Sequence, residues 1–435
     1  MAPALRLRRS FTRRVGSGVA LALIVAFVTG CVAEPAGGSR PGGGDAVSSA
    51  AGVVAGISSG TPGETTRVLA DAADAAFDEH HLGSLLAQIR VDGTLVAQYS
   101  RGEAMGGEPI TQDGRFRNGA VAIMYVSATL LRMAEDGLID LDAPIAQWAP
   151  ELPYADTTTP RMLAQMTSGM PDHVQNPEFL AALNADPFRD VTRDEVLESS
   201  AELGHWFEPG TNWGYSHAGY FALGLVLERA GRAPLDELIS HYVLDPLGLT
   251  ETVADQSPAV PEPVVHAFTA ERGVWEDATY WNPSWTLPPG AVETTTIGDM
   301  AESFEQIIGR GAVLEPASLE DMLTPPPAGF GSSLEGCPTC HTLTPEFSYG
   351  LGVFLENDWV MQTPLFAGYL SAVATLPPDR NDGHSVTIAV AATMTEQSVT
   401  DWTGTLPNRA TQLVDELAAT LVPEAVAPVF HGPAD

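Results

Sequence analysis

The stretch from Arg115 to Asp142, RFRNGAVAIMYVSATLLRMAEDGLIDLD, constrains the fold more than any other part of the chain. Val121, Met124, Ala128, Leu131 and Ala134 recur at the three- and four-residue steps of one helical face, and Leu130 widens that stripe. Glu135, Asp136 and Gly137 then supply a polar end and a stop. The pattern predicts a long, mostly buried helix against which the other elements pack.

Both flanks of this helix resemble the serine β-lactamase and penicillin-recognising peptidase superfamily. There a phrase such as FRxGS-x-x-K opens the central helix, and (E/D)-(E/D)-G-x-(L/I)-x-L-D closes it. The resemblance implies an acylated serine and, one turn later, a lysine that takes its proton; three residues apart on a helix, both face one cleft. Phe116, Arg117, Asn118 and Gly119 before, and Met133 to Gly137 after, fix the register. Ala120 then stands at the serine position and Ile123 at the lysine position. A methyl group has no lone pair to attack a carbonyl, and a sec-butyl group cannot accept a proton. Ser127, the next hydroxyl downstream, lies roughly 10 Å further along the helix by its rise and is expected to be packed. All 21 basic residues are arginine, which stays protonated at any working pH, so no lysine elsewhere can substitute.

Further phrases extend the resemblance from about Thr65 to Leu421. A helix from Thr65 to His80 is followed by two strands between Leu85 and Tyr99, turning at Asp92-Gly93. TPRMLAQMTSGMPDH, Thr159 to His173, resembles (I/T)-T-x-R-x-L-L-x-H-T-S-G-L, with Gln165 near the usual histidine and Ser168-Gly169 as a structural turn. Phe207 to Thr252 carries the longest run of matches, including P-G-T-x-(F/W)-x-Y-S-N-x-G-Y and P-L-G-M-x-x-T. It places Tyr215 on the superfamily's catalytic tyrosine and His217 in place of its asparagine. Without a neighbouring lysine, a phenol of ordinary pKa about 10 has little reason to ionise, so a structural role in the turn is favoured over catalysis. Pro288 to Leu323 resembles the G-G-x-x-S-T-x-x-D-(L/M) helix. Gln362, Thr363 and Pro364 occupy the (K/H)-(T/S)-G position, which implies loss of both the cation and the flexible glycine, and Gly368 to Ser371 follow as G-F-x-S. A final strand is expected over Val386 to Thr393 and a last helix over Arg409 to Leu421. The implied fold class is α/β (α+β): an antiparallel sheet flanked by helices, from about 64–115 and 345–422, plus an all-helical lobe over about 140–325.

The first thirty residues read as a targeting segment. Arg6, Arg8, Arg9, Arg13 and Arg14 precede an apolar run, Val19 to Val28, too short to span a bilayer. Val28-Thr29-Gly30-Cys31 resembles a bacterial lipobox, implying cleavage before Cys31 and lipid on its sulfur; an uncleaved anchor or a plain secretory signal is the alternative. The expectation is an exported protein, lipid-anchored to the outer face of the bacterial cell membrane. Residues 31–63 are rich in Ala, Gly, Ser and Pro and are expected to form a flexible tether. The formal charge of −34 becomes more negative without the five early arginines, which argues against nucleic acid and leaves the membrane to be reached only through lipid. The Pro/Ala-rich tail, 423–435, is expected to fray.

Cys337-Pro338-Thr339-Cys340-His341 has the C-x-x-C-H form of a haem attachment site, within a Gly/Ser/Pro-rich insertion at about 326–345. In an oxidising compartment a short-loop disulfide between Cys337 and Cys340 is the ordinary reading; redox, metal and haem roles are the alternatives. No metal site or cofactor is expected. Trp206, Trp213, Trp281 and Trp285 fall in segments that border the superfamily's cleft, where packing is favoured over ligand contact. The sequence therefore implies a pseudoenzyme that binds a cell-wall peptide or a protein partner. A hydrolase using Tyr215 and His217 on an ester or amide is the alternative.

Overall fold

The computed structural model describes residues 62–428 apart from 255–256 and 401–407. The targeting segment, Cys31 and nearly all of the tether lie outside the described residues, as do 429–435. The first described helix, Pro62–Glu79, leads into strands β1 (Leu82–Val91) and β2 (Thr94–Gly102), which turn at Asp92-Gly93 as the sequence suggests. Strands β3 (Phe116–Arg117), β4 (Val253–Ala254), β5 (Phe268–Thr269), β6 (Glu276–Asp277) and β7 (Glu293–Thr295) are short. Strands β8 (Ser348–Tyr349), β9 (Phe354–Glu356), β10 (Trp359–Gln362), β11 (Leu365–Phe366), β12 (Tyr369–Leu376) and β13 (Val386–Met394) return the chain to the main sheet.

That sheet runs β2-β1-β13-β12-β10-β9-β8, with β11 paired to β12, and every pairing is antiparallel. Strands β12 and β13 are buried at every position. Both faces are covered, so their sequences read as continuous small and β-branched apolar runs with no polar alternation. Helices Pro62–Glu79 and Arg409–Leu421 pack together against the sheet, and Ile297–Phe304 packs on β1, β12 and β13.

The central helix spans Val121–Glu135, and twelve of its fifteen residues are buried, so it packs on nearly its whole circumference. Ser127 is indeed packed, its hydroxyl 2.9 Å from the Tyr220 hydroxyl. The helix stops as the acidic-acidic-glycine phrase suggests. Gly137 has φ 71°, its N–H donates to Ala134, and the Leu138 N–H donates to Met133, capping the last carbonyls.

The helical lobe is less uniform than the sequence implies. Strands β3, β7 and β4 form a three-stranded sheet inside it, and β5 pairs with β6. Thr294 and Thr295 are β-branched and pair with Arg117 and Phe116, which ties the start of the central helix to β7. The tail also departs from expectation. The Val426 N–H donates to Asp358 Oδ2 at 2.8 Å and Asn357 Nδ2 donates to the Ala427 carbonyl at 2.8 Å, so residues up to 428 are tied to the β9–β10 turn.

A buried carboxylate joins the sheet to its covering helices. Glu305 accepts from the Gly93 N–H at 2.6 Å, the Ser385 hydroxyl at 2.6 Å and the Thr387 hydroxyl at 2.8 Å. Removing it strands the Gly93 N–H and the buried Ser385 hydroxyl, while Thr387 keeps the Thr375 hydroxyl at 2.7 Å. Glu305→Ala is expected to lower unfolding free energy by about 3 kcal/mol, and Glu305→Gln by less, as read by urea denaturation.

Candidate functional site

The start of the central helix, the Trp213–His217 turn, β7 and the β10–β11 connection converge on a cavity of ≈ 30 Å³, room for little more than water. Ala120, Tyr215, His217 and Pro364 all line it, together with Arg117 and Glu293. Four of the positions singled out by resemblance are thus brought together by the fold. Ile123, Gln362 and Thr363 do not line the cavity.

Ala120 sits just before the first helical residue with φ −63° and ψ −8°, and its side chain makes no capping hydrogen bond. Gly119 before it has φ 58°, and a Cβ added there would come within 2.6 Å of the Pro364 Cβ. The proline ring therefore closes directly on the helix start, and having no N–H it donates nothing into the cavity. Ile123 is fully buried in the core. Gln362, also fully buried at the end of β10, turns its Nε2 to the Gly352 carbonyl at 2.7 Å. The Thr363 carbonyl accepts from Asn408 Nδ2 at 3.3 Å. The third-motif position thus serves as structural packing.

Tyr215 is buried, and its hydroxyl has no hydrogen-bond partner among the described residues. Burial first, then the nearby Asp172 charge, pushes its pKa well above the usual phenol value, so it stays protonated. His217 is the first residue of the helix His217–Gly231, which Ser216 caps, and its Nδ1 lies 2.9 Å from Asp172 Oδ2. Burial would raise the Asp172 carboxyl, but the His217 imidazole, through charge and hydrogen bond, His173 and the Val174 N–H hold it below its usual range. An ionised carboxylate only accepts, so His217 Nδ1 carries the proton of this bond. His173 beside it is pushed down to about 4 by burial, and its Nε2 donates to the Trp285 carbonyl at 2.9 Å.

Glu293 is the group that sequence reasoning missed most completely. It is buried beside Ala120, with Asn118 Nδ2 donating to its Oε2 at 3.0 Å and Oε1 without a partner. Burial raises its pKa to about 8, only partly offset by the Asn118 bond, so it is a neutral acid at pH 7. Arg117 donates to the Ser257 carbonyl at 3.1 Å and the Pro258 carbonyl at 2.6 Å. Asn118 and Arg117 had served only to fix register. Asp172 is adjacent to His173 after a Gly-Met-Pro turn, and Glu293 is a lone acid amid Ala, Val and Thr; those are the signals that could have marked them. Among the described residues no cluster of three or more His, Cys, Asp or Glu side chains is arranged to hold a metal ion.

The insertion backs this site. Cys337 and Cys340 are joined as a disulfide with Cα atoms 5.4 Å apart, which leaves neither sulfur to bond a haem. Gly214 fits against both sulfurs, where a Cβ would lie 3.0 Å from Cys340 Sγ. The Thr339 hydroxyl donates to the Tyr215 carbonyl at 3.0 Å, and His341 lies against the Trp213 ring at 4.4 Å.

The arrangement offers hydrogen-bond donors in Tyr215 and neutral Glu293 and an aspartate-held imidazole, but no nucleophile on the helix. Glu293 also ties stability to pH. Its pKa is about 8 folded and near 4.5 unfolded, so the unfolded chain releases the proton first as pH rises. Stability is therefore lost between about pH 4.5 and 8, by a few kcal/mol in order of magnitude. Glu293→Gln is expected to flatten that slope and to be more stable than wild type at pH 8.5, measured by thermal and urea unfolding across pH.

Comparison with known proteins places these features in a lineage. Esterase EstB of Burkholderia gladioli is 29% identical over 339 residues, covering 69% of this chain and 84% of the esterase. Penicillin-binding protein 4* of Bacillus subtilis is 25% identical, covering 58% of this chain and 54% of that protein. Among solved structures, a D-stereospecific amidohydrolase from Streptomyces sp. superposes with a TM-score of 0.63 at 23% identity, covering 77% of this chain and 97% of that one. D-amino acid amidase from Ochrobactrum anthropi does so with a TM-score of 0.63 at 19% identity, covering 82% and 99%. These structural likenesses establish the fold. The Beta-lactamase family model matches residues 69–411, and this chain belongs to that family of serine hydrolases.

Proposed function

We propose that this chain is a pseudoenzyme: an exported lipoprotein, anchored through Cys31, that keeps the hydrolase fold and binds a cell-envelope ligand or partner without acylating it. The observation that carries this reading is Ala120. It stands at the mouth of the central helix, beside Tyr215 and His217, in a chain with no lysine. The cavity of ≈ 30 Å³ and the closure of Pro364 onto Gly119 support it, because little space is left beside Ala120 for a bound acyl group. The relatives include an esterase and penicillin-binding proteins, so the ancestral chemistry is acyl transfer on esters or amides. The ligand of a non-catalytic member belongs to the same envelope environment.

A second reading has one observation in its favour. The 2.9 Å bond from His217 to Asp172 orients an imidazole as a water-activating base requires, with the Tyr215 ring packed edge-on against it, centroids 5.0 Å apart. That reading requires ester or amide turnover without a covalent intermediate, abolished by His217→Ala.

Two experiments test the proposal. Ala120→Ser with Ile123→Lys restores the nucleophile and base of the superfamily's motif. It is expected to become slowly acylable by a reactive β-lactam or activated ester, while wild type shows no turnover above the His217→Ala background. A wild type that turns over, with His217→Ala inactive, would replace the proposal by the second reading. For localisation, Cys31→Ser is expected to move the protein from the membrane pellet to the soluble exported fraction; unchanged partitioning would overturn lipid anchoring.

A further inference from the structure

Three of the four tryptophans expected near the cleft are packed away: Trp213, Trp281 and Trp285 are 1%, 5% and 5% exposed. Trp206 is not. It is half-buried, and among the described residues its indole N–H makes no hydrogen bond and its ring stacks on no other aromatic. It lines a cavity of ≈ 340 Å³ between the helical lobe and the disulfide insertion. Gln175 and Leu203 complete the lobe side, while Leu334, Cys337 and Pro338 form the insertion side.

We propose that this cleft binds a neutral carbohydrate chain, with an acetamido-bearing sugar as the preferred unit. Its volume falls in the range of small-ligand sites, and it shares no lining residue with the cavity at Ala120. No charged side chain lines it, although the chain carries −34, so an ionic ligand would find no partner within it. An indole lining a cleft offers the kind of surface on which the C–H face of a sugar ring packs, and its N–H, bonded to nothing among the described residues, can meet a hydroxyl. The Gln175 side chain, also without a hydrogen-bond partner among the described residues, offers both an acceptor and donors. That is the complement of an acetamido group, whose methyl can meet Leu203 and Pro338.

The cleft is also preorganised. Asn212 fixes the insertion in both directions, its Nδ2 donating to the Ser332 carbonyl at 3.0 Å and its Oδ1 accepting from the Ser332 N–H at 2.8 Å. The Cys337–Cys340 bond and the Thr339 link to Tyr215 hold the same wall further along, so the insertion side needs little ordering on binding. The proposal deepens the binding role proposed above but does not depend on the loss of catalysis, since a sugar grip at this distance would serve an active hydrolase as well.

The test is calorimetric titration of the folded exported protein with N,N′,N″-triacetylchitotriose, maltotriose and a proline-rich peptide, against Trp206→Ala and Gln175→Ala. Saturable binding of the acetamido sugar is expected, weakened about tenfold or more by Trp206→Ala and less by Gln175→Ala, with maltotriose weaker. Circular dichroism and melting temperature confirm that the variants fold. Absence of saturable sugar binding to the folded wild type, binding unaffected by Trp206→Ala, or binding of the peptide alone would each overturn the proposal. Acylation assays report on the Ala120 site separately, so failure here is distinguishable from failure of the pseudoenzyme reading.

Discussion

Burial of the central helix on almost every side is the constraint from which the rest of the structure follows. Twelve of its fifteen residues are out of water; helices His217–Gly231, Leu235–Ile239 and Pro316–Met322 of the lobe pack on it, and the Tyr125 hydroxyl donates to Ser303 of Ile297–Phe304 at 2.8 Å. Its C-terminal end reaches water at Asp136 and Gly137, and its N-terminus, where Gly119 turns and Ala120 begins the first turn, opens on the cavity. In an acylating enzyme the N-terminal end must carry a serine and a buried amine, at a desolvation cost that only catalysis justifies. Here a methyl group and the fully buried Ile123 occupy those places, and the helix packs as an ordinary core element. On the proposed reading, the absence of catalytic groups and the close packing of the helix start rest on the same two residues, Ala120 and Ile123.

The surroundings have settled around that change. Pro364 closes on Gly119, Gln362 bonds the Gly352 carbonyl, and the remaining space at Ala120 is ≈ 30 Å³. What persists is polar and dry: a protonated Tyr215 hydroxyl, a neutral Glu293, and an ionised Asp172 held by His217. Behind them the disulfide insertion supports the Tyr215 turn through Thr339 and Gly214. It also builds, on its outer side, a roomier cleft with Trp206 in its lining.

The fold was legible because its signals are local and ordered. The periodicity of Val121 to Ala134, the Asp92-Gly93 turn and the phrase around Tyr215 each declare an element within a few residues. The convergence of Ala120, Tyr215, His217 and Pro364 was legible only through resemblance, since no local rule links residues so far apart. Asp172 and Glu293 carried only faint local marks, and their partners are remote: Asp172 meets His217 across 45 residues, and Glu293 meets Asn118 across 175. Their meaning depends on burial, and burial of a single acid cannot be read from its neighbours when the strand carrying it is three residues long. The short strands of the helical lobe were hidden for the same reason. The tied tail was hidden because the bonds that hold it come from Asn357 and Asp358, far from its own composition.

The central claim, that this fold can no longer form an acyl-enzyme, is tested most directly by intact-mass spectrometry of the exported protein before and after exposure to a β-lactam and an activated ester. An unchanged mass is the expected result. A stable acyl increment on any side chain would contradict the claim and locate a nucleophile other than the one lost at Ala120.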